Sequence, residues 1–210
     1  MNPAQKLLPL LFVAAACRAM QPAPARAALA SLAPGEKGLA IVAGKVLTLD
    51  AAGRVFDPGL VLLRGDTIAY AGELVDIPAG YERLDAPGAW LHPGFVDLHT
   101  HIHAAGWHDL NDTVMPLNPG LRARPTIDPW DERLEHARAA GVTTMFGIPG
   151  SGSSLSGFGT VYKPERDAGY EDIVLRDPGG LKIAQNFNPQ RGAGDIGNSW
   201  SGLAFNLEYW

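Results

Sequence analysis

One cysteine, Cys17, is all the thiol that this 210-residue chain carries, so no disulfide can form within it. A bound metal is then the natural staple if the protein works outside the reducing cytosol. Positive charge is also scarce: 17 Lys and Arg stand against 22 Asp and Glu, for a net charge of −5. No basic run or basic amphipathic segment offsets that balance, which argues against nucleic acid as the main partner. Long apolar runs are missing too. Leu7–Ala16 is too short to span a bilayer as a helix, no transmembrane anchor is expected, and no internal repeat is visible. What is present is a hydrophobic content of 46% with mean hydropathy near zero, the signature of a packed soluble core rather than disorder.

The first residues read as a targeting segment. "MNPAQKLLPLLFVAAAC" has one lysine and then an apolar core, and "APARA" and "AALAS" follow as small-x-small cleavage sites. A signal peptide over 1–27, cleaved at about 27–30, predicts export to the periplasm or the extracellular space. "VAAAC" also resembles a bacterial lipobox, although Ala14 stands where an aliphatic residue is usual. A small residue within the leader is the simpler account of Cys17, with lipid anchoring as the alternative.

Beyond the leader, residues 38–92 show short β-rich runs: Ile41–Val42, Val46–Leu49, Leu60–Leu63 and Thr67–Tyr70. Turn pairs at 43–44, 52–53, 58–59 and 65–66 separate them, which predicts an antiparallel meander. The segment "IPAGYERLDAPGAWLHPG" leads out of it. From residue 93 the pattern changes. Phe95-Val96-Asp97-Leu98 is an apolar strand, Ala104–Ile127 is a long loop, and "DPWDERLEHARAAG" is a helix. Asp128 is the expected N-cap, with Pro129 in the first turn. Asp131 and Glu132 suit the positive end of the dipole. Trp130, Leu134, Ala137 and Ala140 make the apolar face, and Gly141 ends it. "VTTMFGIPG" is the next strand. Strand, loop, helix and strand make one βαβ unit, the repeat of a parallel α/β fold. A short segment at Gly159–Lys163 and a better one at Leu181–Gln185 are further strand candidates.

"PGFVDLHTHIH", residues 93–103, carries the chemistry. His99 and His101 lie at i and i+2, so their side chains leave a strand on one face, about 6–7 Å apart at the backbone. Two neutral imidazoles at that spacing can converge on a divalent ion such as zinc. The C-terminal end of a parallel strand is where such α/β folds keep their active sites. Loop histidines without a ligand are the competing account. "SGSSLSGFG" lacks the Gly-Lys-Ser/Thr ending of a phosphate loop and does not open a helix, so a mobile loop near the site is the better reading.

With its flanks this motif resembles the metal-dependent amidohydrolase superfamily, whose first barrel strand reads Pro-Gly-Phe/Leu-Ile/Val-Asp-x-His-x-His. "DPGLVLLRGDTIAYAG" and "LDAPGAWLHPGFVD" are similar to the small β-sandwich that precedes the barrel. "IDPWDERLEHARAAGVTTMFGIPGSGSSLSGFGTVYKP" and "GLKIAQNFNPQR" resemble the imidazolonepropionase-related branch. The likeness runs from about Gly38 to Arg191. It implies an α/β chain: a small N-terminal β-sandwich over 38–92, then over 93–210 the first part of a TIM-type (β/α)₈ barrel, incomplete here. His99 and His101 match the two metal ligands of the first strand. Asp97 matches the acidic residue before them, a supporting group. Lys182 stands where binuclear members carry a carboxylated lysine bridging two metals, which makes it a candidate ligand and catalytic residue; Lys163 is the weaker candidate. His103 and His108 are candidate substrate contacts. His92 reads as structural and His136 as surface.

The implied cofactor is a divalent metal, zinc by preference, as one or two ions. The implied reaction is hydrolysis of an amide-like or cyclic C–N bond in a small molecule. Two departures qualify the match. Asn186-Phe187-Asn188-Pro189 stands where relatives read Gly-Glu-Asn-Pro. A full barrel also takes about 250 residues, and the family's later ligand histidines and its aspartate base have no counterpart here. A fragment, a chain completed by a second chain, and a non-catalytic metal-binding remnant are the three explanations. An open half-barrel is expected to leave strand edges and apolar faces exposed.

Overall fold

The structure is a computed structural model that describes residues 29, 36–102, 111, 115–165, 168–185, 187–190 and 199–208. The leader and Cys17 lie outside the described residues, and so do His103 and His108. The chain divides into two compact units between Pro93 and Gly94. Among the described residues no helix is long and apolar enough to cross a membrane.

The first unit is one five-stranded sheet: β1 (Gly38–Leu47), β2 (Val55–Phe56), β3 (Gly59–Arg64), β4 (Thr67–Glu73) and β5 (Tyr81–Leu91). Strand β1 is the organiser. It pairs antiparallel with β3 and, further along, with β2, while its other edge pairs with β5. Strands β3 and β4 form a hairpin across Gly65-Asp66, where Gly65 takes a φ of +58° that a two-residue turn favours. Alternation along β1 and β3 sends Ala40, Val42, Leu60 and Leu62 into one buried cluster, and Ala43, Val46 and Val61 into another.

Two expectations are corrected here. Ala43-Gly44 is not a turn but the middle of β1, so the two predicted runs are one ten-residue strand. The meander is also incomplete as a description, because the lead-out segment is the eleven-residue strand β5, parallel to β1. Its exposed, charged middle hid it: Tyr81 and Leu91 pack against the core at its two ends, and the stretch between them is held mainly by backbone pairing. Pro87 fits because it falls at a register shift, opposite Gly44. The described residues of this unit form a single sheet, and a second sandwich layer is not among them.

The second unit holds a four-stranded sheet in the order β6 (Phe95–Thr100), β7 (Val142–Gly147), β8 (Leu155–Tyr162), β9 (Val174–Ile183). Helix α1 (Glu132–Ala139) links the parallel pair β6 and β7, the βαβ unit read from the sequence. Leu134 of α1 packs with Ile127, Met145, Tyr162 and Ile173 in the core. The helix begins later than its sequence implies. Asp131, not Asp128, is the N-cap, accepting from the Arg133 amide at 2.9 Å. Asp128 instead accepts from the Trp130 amide in the preceding turn, and Trp130 is 63% exposed rather than on the buried face.

Beyond β7 the parallel pattern stops. Strand β8 takes in Gly159–Tyr162 of the short predicted segment and starts four residues earlier, and both β8 and β9 run antiparallel to their neighbours. The described sheet is therefore mixed, with one parallel pair rather than a parallel run. Its two edge strands carry exposed apolar side chains: Phe95, Val96 and Leu98 on β6, and Leu175, Leu181 and Ile183 on β9. The remaining helices are α2 (Tyr170–Ile173), α3 (Phe187–Gln190) and α4 (Trp200–Glu208).

Candidate metal centre

The strand β6 ends at Thr100, and His99 and His101 bracket that end. Their ring centroids are 5.2 Å apart with the planes 83° from parallel. His99 is exposed and His101 is half-buried. The Nδ1 of His101 lies 3.0 Å from the carbonyl oxygen of Ile148, just past β7. A carbonyl only accepts, so Nδ1 carries the proton and donates, which puts the ring's lone pair on Nε2. The ladder supports this placement, because the Ile148 amide donates to the Thr100 carbonyl at 3.1 Å. Asp97, half-buried on β6, accepts from the His99 amide at 3.0 Å.

These residues fit a divalent ion as part of a ligand set. With a zinc–nitrogen bond of ~2.0 Å, each ring centre stands ~3 Å from the ion, so two such rings are at most ~6 Å apart. The observed separation of 5.2 Å lies inside that limit. Two ligands do not close a zinc site, however. Among the described residues no group of three or more His, Cys, Asp or Glu side chains is placed to hold a metal.

Lys182 lies on β9, with β7 and β8 between it and the histidine strand. The register puts it level with Gly157 on β8, at the same end of the sheet as His101 and Ile148. It lines an open pocket of about 310 Å³ with Ser151, Gln185, Asn188 and Pro189. Lys163 is at the opposite end, where its Nζ donates to Thr144 Oγ1 at 3.0 Å. Since Thr144 pairs with Val96 near the start of β6, Lys163 is removed from the candidate ligands.

The serine-rich loop is not the free loop its composition predicts. Ser153, Ser154 and Ser156 are buried. The Ala184 amide donates to the Ser154 carbonyl at 2.9 Å, Gln185 Nε2 donates to Ser154 Oγ at 2.7 Å, and the Gly152 amide donates to Asn111 Oδ1 at 2.6 Å. The first two bonds tie the loop to the end of β9, and the third ties it to Asn111. Sequence reasoning missed the Ile148 carbonyl altogether, since a backbone acceptor leaves no residue-type signal. Beneath the histidine strand, burial pushes the Tyr162 phenol well above its ordinary range, and the charges of Asp131 and Asp97 push the same way. His92, exposed, donates from Nδ1 to the Pro93 carbonyl at 2.7 Å, and His136 is exposed on α1.

No family model matches the sequence. The chain is similar to the imidazolonepropionase of Caulobacter vibrioides, with 39% identity over 82 residues, 38% of this chain and 17% of that protein. It is 46% identical over 83 residues to a deacetylase of Brucella anthropi, covering 39% of this chain and 18% of the relative. It is 35% identical over 77 residues to an adenine deaminase of Edwardsiella ictaluri, covering 37% and 13%. Among solved structures, an amidohydrolase from Thermotoga maritima matches with a TM-score of 0.67 and 30% identity, over 80% of this chain and 46% of that one. The chain thus spans less than a fifth of these curated relatives and just under half of the solved structure.

Proposed function

We propose that this chain, similar over part of its length to imidazolonepropionases and other amidohydrolases, supplies the first part of a metal-dependent site for hydrolysis of C–N bonds. The observation that carries the proposal is the His99–His101 pair, with the Nδ1 of His101 committed to Ile148. His99 and His101 hold a divalent ion, zinc by preference. Such an ion supplies Lewis acidity, lowering the pKa of water and polarising an amide carbonyl. Asp97 supports the strand end, and the Ile148 carbonyl orients one ring. Lys182, in its pocket at the same sheet end, is the further ligand or polar group that the resemblance assigns. The small-molecule substrate is an amide-like or cyclic amide, a class that the names of the matched relatives support. Among the described residues β6 and β9 are the two edges of their sheet, and a barrel of the family's kind would continue from them. Export through a cleaved leader remains part of the proposal on the sequence pattern of residues 1–27.

A second reading is a non-catalytic metal-binding protein or partner subunit. The count of two histidines, with no third ligand among the described residues, favours it. One experiment separates the readings. The purified chain is titrated with zinc and then assayed against N-acyl and cyclic amides, beside a His99→Ala/His101→Ala variant. Turnover that the double substitution abolishes supports the hydrolase. Zinc binding that the substitution abolishes, without turnover in the unaltered chain, supports the second reading. Absence of zinc binding overturns both.

A further inference from the structure

We propose that Asp97 is a positioning residue for the histidine pair, holding a β-bulge of β6 through its bond to the His99 amide; this inference rests on the metal-centre reading above. The register shows the bulge. Asp97 pairs with Met145 and Thr100 with Gly147, so three steps along β6 oppose two along β7. One extra residue has been fitted into β6 between Asp97 and Thr100, the definition of a β-bulge, which is rare in parallel pairs. A bulge leaves a backbone group outside the ladder and increases the local twist, and bulges cluster beside active sites because they re-aim side chains.

Within this bulge the Asp97 carboxylate turns back along its own strand. Its Oδ1 accepts from the His99 amide at 3.0 Å, an Asx-type bond between residues i and i+2. Regular pairing resumes at once, since the Ile148 amide donates to the Thr100 carbonyl at 3.1 Å. The bulge is therefore clamped on one side by Asp97 and on the other by the ladder. The two rings at this strand end have centroids 5.2 Å apart and lie nearly perpendicular. One ring is fixed by the Ile148 carbonyl. The other has its backbone fixed by Asp97. The acidic residue two positions before the first histidine thus acts through hydrogen-bond geometry, not through its charge on the metal.

Two near-isosteric variants separate those roles. Asp97→Asn keeps an acceptor oxygen at the same position and loses the charge. Asp97→Glu keeps the charge, and its longer arm does not close the same bond. Zinc affinity of the full chain, measured by competition with a chromophoric chelator, is expected to stay within ~3-fold for the Asn variant. For the Glu variant it is expected to weaken by ~10–100-fold, the range for groups that orient a ligand. Retained affinity in the Glu variant, or equal loss in both, overturns the inference while leaving the metal reading standing. Absence of zinc binding in the unaltered chain overturns both. A second measurement needs no variant and no metal: the His99 amide, on an exposed residue, is expected to exchange with solvent at least ~10-fold more slowly than an unbonded amide, and unprotected exchange there overturns the inference.

Discussion

The ring of His101 and the carbonyl of Ile148 are joined by a 3.0 Å hydrogen bond between residues 47 positions apart. The bond sets the imidazole tautomer by the chemistry of its acceptor, and it ties the end of β6 to the segment that follows β7. A histidine so held keeps its second nitrogen in one direction, the condition for a metal ligand.

Replacing His99 or His101 by alanine is therefore expected to lower zinc affinity by more than the ~100-fold upper range for orienting groups. His136→Ala, on the exposed face of α1, is expected to leave it unchanged. Isothermal titration of the three variants checks this. Equal affinities across the set would remove the pair from the site.

Acid stability should depend on Asp131. Hydrogen bonds from Arg133 hold its carboxyl below the usual carboxylate range, against the opposing effect of burial. The Arg133 Nε lies 2.9 and 3.0 Å from its two oxygens. A depressed folded pKa stabilises the fold above the unfolded value of ~3.9, and that stability is lost as the pH falls through the lower folded value. Asp131→Asn keeps a capping side chain without the titration. Its melting temperature is expected to vary less than that of the unaltered chain below about pH 4, read by circular dichroism across that window.

Gly44 and Pro87 meet where the pairing of β1 and β5 shifts register. A Cβ at position 44 would stand 2.3 Å from the Pro87 carbonyl oxygen, which is backbone and cannot swing aside. Gly44→Ala is expected to cost ~1–3 kcal/mol by overpacking, measured by urea denaturation. A neutral result would mean that β5 is not seated against β1 as described.

Leu134 is fully buried where α1 meets the sheet, among Ile127, Met145, Tyr162 and Ile173. Leu134→Ala is expected to cost about 2–5 kcal/mol by the same denaturation. A loss well under 1 kcal/mol would show that the helix does not close this core.

Local signals in the chain were sufficient for some of this. The His-x-His spacing, the hairpin at Gly65-Asp66 and the βαβ order from β6 to β7 all follow from periodicity and turn chemistry within a few residues. The amidohydrolase likeness was legible for the same reason, since its motif is contiguous. The cap of α1 was missed by three residues because Asp128 and Asp131 are chemically identical candidates. Only the Arg133 contact and the packing of Leu134 choose between them. His103 and His108 lie outside the described residues.

Long-range pairing was settled by the tertiary structure alone. Little within Tyr81–Leu91 marks it as a strand, because between Tyr81 and Leu91, which pack at its ends, it is seated by backbone pairing with β1. The antiparallel course of β8 and β9, the burial of the serine loop and the removal of Lys163 to the far end of the sheet have the same origin. So does the proton on His101 Nδ1: the residue type supplies two nitrogens, and a carbonyl brought there by folding decides which one carries the proton. The amino-acid sequence determines which groups are available and which neighbours along the chain share a face. Which groups meet across the fold depends on hydrogen bonds and packing between segments whose residues carry no local mark of their partners.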